Sequence, residues 1–178
     1  MRVLLALLLV VPGSLLAQAD VATRLAGRVP PSVAAAVQEL AATTRVRGLP
    51  VEPLIQKAIE GAAKGVAPER VIAAVRALAG RLDVAASALR AANIPAPDAP
   101  AVEAGAFALN AGLSDPQLTA LALATPPPHD LAATLRVAGT LAAMGVPAAQ
   151  TVELVTQIIQ AGRPPTDVLD LPAQVQAG

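Results

Sequence analysis

Cysteine, tryptophan and tyrosine are all missing from this chain, Phe107 is its single aromatic residue, and His129 is its single histidine. Each absence closes a class of chemistry. Without thiols there is no disulfide, no thiolate metal site and no acylated cysteine of the lipoprotein kind. The 13 basic residues balance 13 acidic ones. Nucleic-acid binders normally show a basic excess interleaved with stacking aromatics, and this composition offers neither. The same shortage of rings disfavours a stacking platform for carbohydrate. Long apolar runs are also missing beyond the N-terminus. Mean hydropathy is +0.58, but alanine raises it, and charged residues or prolines interrupt every later apolar stretch before about 18 residues. No integral membrane segment is expected after residue 19.

The first 19 residues follow a different plan. Met1-Arg2 is a short positive start, Val3 to Val11 is an apolar run, and Pro12-Gly13-Ser14 breaks it before Ala17-Gln18-Ala19. That order, ending in a small-x-small site, is the design of a secretory signal peptide. A retained anchor fits less well, because nine helical residues rise only about 13 Å. Residues 1–19 are therefore expected to be a signal peptide. The remainder would be exported, to the periplasm or beyond the cell. Residues 20–178 are enough to bury a core without covalent staples.

What is abundant is alanine, and a recurring punctuation mark. Helix starts are expected at Val29-Pro30-Pro31-Ser32, Gly48-Leu49-Pro50, Gly65-Val66-Ala67-Pro68 and Asn93-Ile94-Pro95. They resume at Gly112-Leu113-Ser114-Asp115-Pro116, Pro126-Pro127-Pro128, Gly145-Val146-Pro147 and Gly162-Arg163-Pro164-Pro165. Glycine ends one helix in a left-handed conformation, and proline opens the next with its fixed φ. Gly48 to Gly65 and Gly145 to Gly162 are both steps of 17 residues.

Between the marks the helical period is plain. Val51, Leu54, Ile55, Ala58, Ile59 and Ala62 form one stripe, as do Val71, Ala74, Val75, Leu78 and Leu82. Glu60 and Lys64 lie on the polar side in the favourable i,i+4 order. Ser114-Asp115-Pro116-Gln117 reads as a capping box. No segment alternates as a strand would. The expected fold class is all-α, with eight or nine short helices of about 10 to 14 residues each. They form either a helical-repeat, α-solenoid-like array or an irregular helical bundle. Tetratricopeptide and ankyrin sequence patterns are both missing, so no named repeat is assigned. Residues 20–170 are read as a single domain, with an internal corner at 93–100 where prolines cluster, and 171–178 as a frayed tail.

Candidate chemistry is thin. His129 beside Asp130 suggests a general base, but neighbours on a helix point about 100° apart, so the pair reads better as a helix start with Asp130 favoured by the dipole. Ser32 and Ser114 stand where capping accounts for them, Ser87 lies on an alanine-rich helix, and none sits in a nucleophile elbow. Glu52, Glu60, Glu69, Glu103 and Glu153 are spread along polar faces, unlike the paired carboxylates of wall-cleaving enzymes. Gly61 and Gly65 lack the strand and Lys-Ser/Thr of a phosphate loop and read as helix-end glycines. No catalytic, cofactor-binding or metal-ligating residue is assigned, and no cofactor is expected. The expected function is a non-enzymatic interaction or scaffold module of the cell envelope with a protein partner. Its best surface would be the apolar helix Thr151 to Gln160 with Leu118, Leu121 and Leu123. A helical carrier of an apolar ligand is the alternative, and a carboxylate-dependent wall hydrolase comes third.

Overall fold

The computed structural model describes residues 20–177; the expected signal peptide, residues 1–19, lies outside them. Among the described residues the chain is an irregular all-α bundle without a strand. Helix α1 covers 20–25. It is followed by α2 (Pro31–Val46), α3 (Glu52–Ala63), α4 (Pro68–Ala91), α5 (Ala99–Asn110) and α6 (Asp115–Leu123). Then come α7 (Leu131–Ala143), α8 (Ala148–Gln160), α9 (Pro165–Leu169) and α10 (Leu171–Ala177).

The punctuation marks fall at helix ends as expected, and the backbone shows why they work. After α2, Gly48 N–H donates to the Arg45 carbonyl at 2.9 Å and Leu49 N–H donates to the Thr44 carbonyl at 3.1 Å. This pair of bonds is the Schellman motif, and it needs a left-handed residue at the corner. The same two bonds recur around Gly65, Asn93, Gly112, Gly145 and Gly162. Their φ values run from 64° at Asn93 to 113° at Gly112. The residue after the corner turns inward: Leu49 and Leu113 are buried, and Val66, Ile94 and Val146 pack on the core. Each corner therefore satisfies two orphan carbonyls, and all but the one at Gly162 add an apolar plug in the same step.

Helix lengths depart from the uniform expectation. Helix α4 runs 24 residues, whereas α9 has 5. Gly80 does not stop α4, because its φ is not left-handed and its surroundings are open. Nor does the tail fray directly after 170. Leu171 is buried in the core cluster, which anchors α10 against α7. The corner at 93–100 closes earlier than expected: Asp98 already caps α5, accepting from Ala101 N–H at 2.9 Å, and Pro100 belongs to the helix.

Packing is between near neighbours. Every extended contact among α2 to α10 joins helices one to three places apart in the chain, and the most extensive is between α5 and α7. Small residues permit these approaches. Gly61 is one of them, and it lies inside α3 instead of ending it. A Cβ there would stand 2.8 Å from a Val71 methyl. Gly105 of α5 faces Ala85 of α4, and Gly139 of α7 lies under the Phe107 ring and the Ala108 backbone of α5.

The two kinds of helical glycine should respond oppositely to alanine. Gly80→Ala adds helix propensity in open space and should gain about 0.5–1 kcal/mol. A Cβ at Gly139 would lie 2.6 Å from Phe107 Cδ1 and 3.0 Å from Ala108 Cα, so Gly139→Ala should lose on the order of 1–3 kcal/mol through overpacking. Urea unfolding of both variants checks this, and shifts of the same sign would contradict it.

Candidate functional site

Helix α4 is twice as long as α3 or α5. The first part of α4 carries α3, through Val71 against Gly61. Its last part carries α5, through Ala85 against Gly105, and α6, through the Thr119 hydroxyl bonded to the Ala88 carbonyl at 3.3 Å. Between these attachments a face of α4 remains uncovered. Ala74, Ala77, Leu78 and Arg81 follow i, i+3, i+4 and i+7, so they line about two turns of one face. On α5, Glu103, Ala106, Phe107 and Asn110 follow the same spacing. The two stripes, with Lys57 from α3, bound an open groove of about 430 Å³.

Phe107 is the notable wall residue. The only Phe, Tyr or Trp side chain in the sequence is 39% exposed instead of lying at the centre of the core. The missing Cβ of Gly139 lets the Phe107 ring approach α7 closely, and that contact holds it beside the groove. Pre-set aromatic anchors lower the ordering cost of association. At the rim, Arg81 and Glu103 make no hydrogen bond or ion pair among the described residues, and Lys57 shares Glu60 at 3.4 Å with Lys64. Sequence periodicity assigned Ala74 and Leu78 to the core, yet both are only half-buried. The signal that finds this groove is the lone aromatic residue on an otherwise small-residue helix.

A second, shallower cleft of about 730 Å³ lies between α6 and α8. It involves the two segments that sequence analysis singled out, but through different residues. Leu118, Leu121, Val155 and Ile159 are buried. Leu123, 57% exposed, faces Val152, Thr156 and Gln160 across the cleft.

The remaining candidates occupy ordinary helical roles. Asp130 caps α7, accepting from Ala133 N–H at 2.7 Å, so its Oδ1 points to the backbone and not to His129. Both residues precede α7 and do not belong to its first turn. Ser32 lies within α2, whose cap position is Pro30, so it is not the capping residue. Ser114 N–H donates to Gln117 Oε1 at 2.9 Å, as the capping-box reading requires. Ser87 is exposed on α4. Among the carboxylates, Glu60 bonds Lys64 at 2.5 Å, which holds its pKa below the ordinary range, with the Lys57 charge assisting. Glu153 accepts from Gln157 at 3.0 Å, and Glu69 is exposed. No two of these five glutamates are brought together by a shared groove or bond. Among the described residues no group of three or more His, Asp or Glu could hold a metal ion, and no helix is long and apolar enough to cross a membrane.

Comparison with known proteins adds no relative: no protein-family model matches the chain, and no curated protein or solved structure does so significantly.

Glu52 is the most perturbed carboxyl. Arg24 of α1 grips it through two bonds of 2.5 Å, and Gln56 adds a third at 2.7 Å. These donors, Arg24 first, hold the Glu52 pKa at about 2, against an ordinary 4.5. A carboxyl with a depressed folded-state value contributes fully above its unfolded value and loses that contribution as pH falls through the folded one. The clamp between α1 and α3 should therefore weaken from about pH 4.5 towards pH 2. Both partners are partly solvated, so the effect is modest. Replacing Glu52→Gln should flatten the decline of the urea midpoint across that window, and parallel declines would refute the assignment.

Proposed function

We propose that the chain is exported and acts outside the cytoplasm as a non-enzymatic interaction module, docking a protein partner in the groove between α3, α4 and α5. One observation carries this reading: the chain's only Phe, Tyr or Trp side chain packs against Gly139 at a solvent-open groove instead of being spent in the core. Aromatic anchors on pre-set surfaces are the usual centres of binding energy. Near-neighbour packing supports it as well. Helical-repeat arrays are built this way, with each unit touching only those beside it and leaving grooves between helices for partners. An α-solenoid-like reading of this bundle follows from the same pattern. Both grooves are open clefts, which suits a partner's side chains better than a sequestered lipid. The carboxylates are dispersed or engaged in local pairs, which removes support from hydrolysis.

The test is site-directed photo-crosslinking in the intact cell. A photo-reactive residue at Ala77 should yield a discrete adduct, and one at Ala35, exposed on α2, should not. Phe107→Ala should reduce the Ala77 adduct several-fold while leaving the helical circular dichroism unchanged. The exported chain itself should begin at Asp20. Equal labelling at both positions, or an adduct indifferent to Phe107, would overturn the docking assignment.

A further inference from the structure

We infer that the occupant of the α3–α4–α5 groove is an amphipathic α-helix with a small aliphatic stripe and flanks of opposite charge, its acidic flank towards Lys57 and its basic flank towards Glu103. The inference rests on the docking role proposed for this groove and specifies the partner's chemistry.

The floor and one wall dictate the shape. Two matched stripes, Ala74-Ala77-Leu78-Arg81 and Glu103-Ala106-Phe107-Asn110, each extend about 10 Å along their helices. A groove of two helical turns is read by side chains at i, i+3, i+4 and i+7 of a docked helix. Ala74 and Ala77 present only methyl groups, and Ala106 beside them is buried, so a helix backbone can approach the α4 stripe closely. Phe107 and Leu78 supply the larger apolar contacts. An extended strand is the poorer match, because every carbonyl and amide of α4 and α5 in this stretch is committed to its own helix and offers no edge for pairing.

Charge then sets the flanks. Lys57 lines the groove from α3, where it also pairs with Glu60, and Glu103 lines it from α5, so the two flanking helices contribute charges of opposite sign. Arg81 sits at the end of the α4 stripe as a second cation, and neither it nor Glu103 has a partner among the described residues. A helix with one acidic and one basic flank satisfies both walls. One with two acidic or two basic flanks places like charges together at one wall, which is the repulsive element that specificity needs.

Three synthetic helical peptides test this, all with the same Ala/Leu stripe and with flanks that are mixed, all acidic or all basic. Fluorescence anisotropy against the full exported chain at low salt should show the mixed peptide binding tightest. Phe107→Ala should abolish that binding. Lys57→Glu makes both walls acidic, and it should weaken the mixed peptide about three- to five-fold while strengthening the all-basic one. Adding Glu103→Lys to Lys57→Glu reverses both walls, and mixed-peptide binding should return. Peptide affinities indifferent to flank charge, or a double variant that fails to restore binding, would overturn the inference. If no peptide binds while the Phe107-dependent adduct at Ala77 persists, the helical occupant is wrong and the docking groove stands; if the adduct is lost too, both fall.

Discussion

A single left-handed residue at the end of most helices, though not of α6 or α9, is the constraint on which the other features depend. Helices of about a dozen residues in water are marginal on their own, and they persist by packing on one another. Packing requires sharp reversals, and each reversal exposes carbonyls that the helix cannot satisfy. At Gly48, Gly65, Asn93, Gly112, Gly145 and Gly162 one solution is repeated: two backbone bonds close the corner, and in five of the six the next residue is an apolar plug. Gly162 is the exception, followed by exposed Arg163, which instead reaches Asp167 on α9 at 2.5 Å. Asn93 stands in for glycine, as asparagine is among the few side chains that tolerate this region.

The second constraint is size. An interior in which alanine and valine stand among the leucines gains little from each small side chain, so helix axes must come close there for contacts to accumulate. Gly61 and Gly139 mark places where even a methyl group would force a neighbour to shift, and Gly105 one where it would be tight. The same economy explains the groove. With α4 running on past α3 before α5 and α6 take over, small side chains along its middle cannot fill the space between neighbours. The largest apolar residue of the lining, Phe107, packs against Gly139 of α7. What remains is a cleft with an aromatic wall and, at Arg81 and Glu103, charges with no partner among the described residues.

The all-helical class and nearly every helix end were legible in the sequence, because Gly-apolar-x-Pro marks act locally and encode their own backbone geometry. Length was less legible. Gly80 resembles a stop, but without an apolar plug and a following proline it is only a weak point in a continuous helix. Gly61 looked like a helix end because a close approach to Val71 leaves no trace in local pattern. Ala74 and Leu78 fell on the apolar stripe, and periodicity cannot tell a residue facing a neighbour from one facing a gap. The α6–α8 cleft was half visible: the segments were right, yet Leu118 and Leu121 face inward and Leu123 alone faces out. Local chemistry such as the Ser114 capping box and the Glu60–Lys64 pair could be read from spacing. The Arg24–Glu52 clamp, which links distant positions, could not.

If the left-handed corners do hold the bundle together, the most direct measurement is the unfolding free energy of Gly65→Ala and Gly145→Ala. Both positions have open space around an added Cβ, so any penalty comes from backbone conformation alone. The account predicts a loss of about 1–2 kcal/mol at each, with an unchanged denaturant slope and a smaller loss for Gly→Asn. Alanine tolerated at either corner without loss would contradict it.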